Sequence, residues 1–115
     1  MTLIGVVGPC SAGKTTLIRE LTAKGYAARH IAQEHSFVPD MWKRISNPDI
    51  LIYLDVSYEV SMKRRNLDMS EEEFRIQTER LSHARQQADF FINTDYKTIE
   101  EVRNQVLNFL ENREI

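Results

Sequence analysis

Apolar residues in this chain fall in short runs that alternate with stretches of helical spacing. Leu3 to Val7 is an apolar run ending at Gly8, the look of a parallel strand buried on both faces. From Lys14 to Lys24, Leu17, Ile18 and Leu21 are spaced to share one helical face, and Gly25 stands where such a helix stops. Tyr26 to Ala32 reads as a second strand. Ser36 to Pro48 carries two prolines and a short helical stretch, Asp40 to Ile45. Asp49 to Asp55 sets five apolar residues between two acidic ones and reads as a third strand. Ser57 to Asn66 predicts a helix with Tyr58 and Met62 on one face and Lys63, Arg64 and Arg65 at its negative end. Ser70-Glu-Glu-Glu73 is a capping-box pattern that opens a long polar helix to about Ala88, with Phe74, Leu81, Ala84 and Ala88 as its apolar face. Asp89 to Asn93 reads as a last strand. Thr98-Ile-Glu-Glu101 is a second capping box, after which Ile99, Val102, Val106 and Phe109 or Leu110 repeat at helical period.

Strands alternating with helices, without a hairpin signal, predict an α/β fold: an open parallel sheet of about four strands, right-handed crossovers, and helices on both faces in a three-layer arrangement. The length of 115 residues suits one domain, 1–115, without repeats or linkers. Four strands make a small sheet, which leaves room for a homodimer that completes a pocket, although no residue pattern specifies one.

Composition narrows the function classes. The hydrophobic fraction of 42% and charged fraction of 28% are those of an ordinary globular protein. A net charge of −2 argues against a dedicated nucleic-acid binder, which needs a basic face, but leaves room for a small basic pocket. Cys10 is the one cysteine, so an intrachain disulfide is excluded and a reducing compartment is expected. The apolar N-terminal run is too short for a signal peptide or a membrane span, so the expectation is a cytoplasmic protein without a membrane partner.

The chemistry is concentrated in Gly8-Pro9-Cys10-Ser11-Ala12-Gly13-Lys14-Thr15, which matches the Walker A pattern G-x-x-x-x-G-K-[ST]. The two glycines allow backbone angles and a close approach that a Cβ would block. Successive amides then cradle an anion at the positive end of the following helix. Lys14, at what reads as an exposed helix start, would bring an ammonium to the β- and γ-phosphates. Thr15 would ligate Mg²⁺, and Thr16 would extend the cradle. Cys10 reads as a space-filling loop position rather than a nucleophile.

On these residues the chain resembles the P-loop NTPases, and within them the nucleoside- and nucleotide-kinase-like (adenylate kinase-like) group. The resemblance covers most of the chain and is most specific over residues 3–19. Asp49 to Val56 followed by Lys63-Arg64-Arg65 looks like those kinases' strand, helix and lid arginines. Ala88 to Asp95 followed by a capped helix looks like their last strand, whose outgoing loop packs on adenine. The Asn-Lys-x-Asp guanine pattern is absent. The chain is shorter than typical members: only residues 26–48 separate Gly25 from Asp49, and residues 65–84 are too few for a lid domain. Met69 to Asp95, with Gln77, Asp89 and Asn93, also looks faintly like the end of dephospho-coenzyme A kinases.

The resemblance implies a phosphotransferase that takes ATP, or GTP, with Mg²⁺ and a small-molecule acceptor. Positioning and charge neutralisation do most of the work in such transfers. Asp55, at a strand end, would assist Mg²⁺ or else cap the following helix. Glu34, past the second strand, would take a proton from an acceptor hydroxyl or sit as a solvated loop residue. Gln33 and His35 would line the same pocket, although the three histidines show no metal-ligand spacing. Arg64 and Arg65 would clamp phosphates as lid arginines do, or cap their helix. Arg80 and Arg85 read as a solvated face. Trp42 would pack over the sheet edge or stack on an acceptor base. A nucleotide-binding regulatory module without transfer activity and a slow NTPase remain the alternatives.

Overall fold

A computed structural model describes residues 2–65 and 69–113. The chain forms a four-stranded, all-parallel sheet with helices around it: β1 (Leu3–Val7), α1 (Lys14–Ala23), β2 (Ala27–His30), a 3₁₀ turn (Gln33–His35), α2 (Met41–Ile45), β3 (Ile50–Asp55), α3 (Tyr58–Arg65), α4 (Glu71–Arg80), α5 (Ser82–Gln87), β4 (Phe90–Asn93) and α6 (Ile99–Arg113). The strand order is β2-β1-β3-β4, so the chain leaves β1 toward one edge and β3 toward the other. The crevice beyond the carboxyl ends of β1 and β3 is therefore the topological switch point, where open α/β sheets collect ligands.

Side-chain alternation along the two central strands makes the three layers. Ile4 and Val6 of β1 and Ile50, Ile52 and Leu54 of β3 join a core with Leu17 and Leu21 of α1 and Val102, Val106 and Leu110 of α6. Val7, Leu51 and Tyr53 point the other way and pack with Ile31, Trp42, Leu81 and Ala84. Trp42 is thus a packing residue, its indole N–H donating to His83 Nδ1 at 3.1 Å. The acidic residues that precede β3 and β4 do structural work: the Asp49 carboxylate accepts from Leu3 N at 2.7 Å, and that of Asp89 accepts from Leu51 N at 2.8 Å.

Two elements differ from the sequence expectation. The second strand is only Ala27–His30, because it lies at the sheet edge and pairs with β1 alone, from Leu3↔Ala27 to Val6↔His30. The long polar helix is two helices that meet at Leu81, whose φ of −90° and ψ of −4° open the turn while its N–H still reaches Gln77 O and Thr78 O. The bend seats Leu81 and Ala84, both 0% exposed, together against the sheet. Ser70 caps α4, its Oγ accepting from Glu73 N, and Thr98 and Glu101 form the full capping box, bonding each other's amides reciprocally. The expected end of the third helix at Asn66 lies outside the described residues. Among the described residues no helix is long and apolar enough to cross a membrane.

Candidate functional site

The loop between β1 and α1 is shaped by its two glycines for different reasons. A Cβ on Gly8 would lie 2.1 Å from Leu54 O, so only glycine lets the loop pass beside β3. Gly13 has open space around it but a φ of 101°, the left-handed region that leads into α1. The first helical bond of α1 is Leu17 N to Gly13 O, and Gly13 has no side chain to cap the helix. The amides of Lys14, Thr15 and Thr16 therefore have no acceptor within the helix, and they stand at its positive end.

Three side chains hold the loop from behind. Ser61 Oγ donates to Cys10 O at 2.9 Å, Arg64 to Ser11 O at 3.0 Å, and Thr94 Oγ1 to Ala12 O at 2.9 Å. A trans peptide points its N–H opposite to its C=O. Anchoring these carbonyls thus turns the Ser11 and Gly13 amides to the other side, while Ala12 N closes the loop on Pro9 O at 3.2 Å. Arg64 is itself seated by two bonds to Thr94, one to its hydroxyl at 2.9 Å and one to its carbonyl. Sequence reading missed Ser61 and Thr94 altogether. Their only local signal is that Ser61 stands three residues before Arg64, one turn away on the same helix face.

Lys14 is not exposed, as its place at a helix start suggested, but 6% exposed. Its ammonium donates to Gly8 O and Pro9 O and pairs with the Glu34 carboxylate. Glu34 is no solvated loop residue either: the 3₁₀ turn after β2 brings it beside the loop, 2% exposed, and its Oε1 has no hydrogen-bond partner among the described residues. Burial first, and the Lys14 charge next, hold the nearby His30 imidazole below its ordinary pKa.

The other expected residues divide. Gln33 does not line the site; its amide bonds Val38 O, Arg80 O and Trp42 N and so fastens the 33–42 segment. Gln77 of α4 clamps the loop residue Cys10, accepting from its N–H at 3.2 Å and donating to its Sγ at 3.3 Å. Arg80 stacks on Phe37, 4.4 Å from the ring centroid, and Arg85 lies 4.9 Å from that of Phe91. Asp55 ends β3 with its carboxyl raised above the ordinary range by burial. It does not cap α3: Ser57 does, its Oγ accepting from Val60 N at 3.3 Å. The side chain of Arg65 lies outside the described residues.

Two clefts flank the loop. The smaller, a cavity of about 210 Å³, lies between the loop and the start of α6, lined by Ala12, Leu17, Arg64, Lys97, Ile99 and Val102 among others. The larger, about 500 Å³, holds Cys10, Lys14, Thr15, His30, Glu34 and His35. Ser11, Gly13 and Thr16 face both, and Asp55 lines neither. Comparison with protein-family models and with curated proteins finds no match for this chain.

Proposed function

We propose that this chain is a P-loop phosphotransferase of the nucleoside- and nucleotide-kinase-like kind, binding ATP or GTP with Mg²⁺ and passing a phosphoryl group to a small acceptor. The observation that carries this reading is the glycine-shaped loop whose carbonyls are tied back by Ser61, Arg64 and Thr94, leaving amides and the Lys14 ammonium at one helix mouth. Such a mouth suits a polyanion.

The division of labour follows from the two clefts. The smaller one, apolar at Leu17, Ile99 and Val102, suits a nucleobase; the Lys97 ammonium and Arg64 guanidinium at its edge suit the first phosphates. The larger takes the reacting phosphate and the acceptor. Mg²⁺ would neutralise charge on the transferring group, held by the Thr15 hydroxyl. Glu34, which shares the cleft with Thr15, is better placed than Asp55 to act beside that ion or to receive an acceptor proton.

One observation favours a second reading, a nucleotide-binding module without transfer. A carboxylate committed to Lys14 is not free to take a proton, and the 26–48 segment offers little room for an acceptor domain. The deciding experiment incubates the protein with ATP-Mg²⁺ and a panel of nucleosides, nucleotides and other hydroxyl acceptors. A phosphorylated acceptor supports the kinase, free phosphate alone an NTPase, and binding without turnover the module. No binding of any triphosphate overturns all three.

A further inference from the structure

In the larger cleft, Cys10, Glu34 and His35 bring one thiol sulfur, one carboxylate oxygen and one imidazole nitrogen within 4.8 Å of one another. Sequence spacing hides this group, since Cys10 belongs to the loop after β1 and the other two to the turn after β2. We infer that these three side chains form a binding site for a thiophilic divalent cation, with Zn²⁺ the best fit.

Geometry permits it. Zn–S and Zn–N bonds of about 2.3 and 2.0 Å set tetrahedral ligand atoms about 3.5 Å apart. The His35 side chain is 61% exposed and free to swing onto a shared ion, whereas Glu34 is held by Lys14 and Cys10 by Gln77. Glu34 offers a carboxylate of which only one oxygen is bonded among the described residues. Its Oε2 pairs with Lys14, but Oε1 is buried without a partner, a state that costs free energy unless a cation or donor meets it. A metal here would share the carboxylate with Lys14, since the Glu34 oxygen that faces His35, at 3.9 Å, is Oε2.

The sulfur is held as a metal ligand needs to be. Gln77 grips both the backbone N–H and the Sγ of Cys10, and its N–H bond to sulfur fixes the rotamer. On binding, a metal–sulfur bond forms and the thiol proton passes to water. Thiolate and carboxylate bring two negative charges to the ion, the second shared with Lys14, and a fourth position stays open, as in three-ligand zinc sites. Sulfur and imidazole donors select Zn²⁺ over Mg²⁺, which takes oxygen ligands, so the site is distinct in kind from the one Thr15 would serve.

The test uses the full chain, the metal alone and no nucleotide, so its outcome is separate from that of the nucleotide reading. Zn²⁺ is titrated against a chromophoric chelator in excess Mg²⁺, and Co²⁺ serves as a spectroscopic stand-in. The expected result is one tight Zn²⁺ per chain and a thiolate-to-Co²⁺ charge-transfer band in the near ultraviolet. Cys10→Ser and His35→Ala should each weaken Zn²⁺ about 100-fold, with the band lost in the first. His30→Ala, whose ring lines the cleft outside the triad, should leave the affinity unchanged. Absence of the charge-transfer band in the unsubstituted chain would overturn the site even if a variant failed to fold. So would Zn²⁺ affinity indifferent to Cys10 or His35, or one that depended on His30 instead.

Discussion

Lys14 and Glu34, twenty residues apart in sequence, form an ion pair with side chains only 6% and 3% exposed. Breaking such a pair from one side strands the other charge in a site where water cannot solvate it. Lys14→Met should therefore cost stability as well as ligand binding, about 3 kcal/mol by urea unfolding. The double variant Lys14→Met with Glu34→Gln should recover at least about 1.5 kcal/mol of that loss while still failing to bind triphosphate. A double variant no more stable than Lys14→Met alone would show that losing Lys14 does not strand the Glu34 charge.

The two loop glycines should fail differently. At Gly8 an added methyl meets the Leu54 carbonyl, so Gly8→Ala requires β1 and β3 to separate and should cost more than about 2 kcal/mol. At Gly13 the methyl has room and only the backbone angle objects, about 1 kcal/mol. Urea melts of the two variants check the order, and Gly13→Ala as damaging as Gly8→Ala would contradict the steric account.

Arg64 joins the loop to Thr94, so its removal should loosen the loop rather than slow chemistry alone. Arg64→Ala should weaken ATP binding about ten-fold, the loss of roughly one charged hydrogen bond's worth of preorganisation. Arg64→Lys should not restore it, because a point charge cannot bridge Ser11 O and both oxygens of Thr94. Calorimetry with a non-hydrolysed ATP analogue reads the effect; wild-type affinity in Arg64→Ala would remove Arg64 from the site.

Tyr53 is 0% exposed, and its hydroxyl has no partner among the described residues. Burial, then the Asp55 charge, pushes its phenol from the ordinary 10.0 up to about 12. The raised value means the neutral form is the folded form, so the stability it carries is complete below pH 10 and is lost as pH rises toward 12. Alkaline absorbance titration should show one tyrosine ionising late, and Tyr53→Phe should abolish that phase. The same substitution should leave urea stability unchanged or raise it by up to about 1 kcal/mol, since it deletes a buried hydroxyl that bonds none of the described residues.

Most of the fold was legible because its signals are local. Leu3–Val7 and Ile50–Asp55 are short apolar runs bounded by glycine or acidic residues, as buried strands are, and the Gly8–Thr15 pattern marks its own turn. The break at Leu81 was not legible, since no glycine or proline marks it; the sheet beneath sets it. Nor was the burial of Lys14, which depends on a glutamate delivered by a different strand. Ser61 and Thr94 escaped for the same reason: an ordinary hydroxyl becomes part of the site only when the fold sets it behind a distant carbonyl.

Ser11, Gly13 and Thr16 are a party wall between two rooms. An occupant of either room rests on residues that also shape the other, which gives the two a shared wall through which to couple. Thermodynamic reciprocity then fixes the account: whatever help or hindrance the first guest gives the second is returned in equal measure.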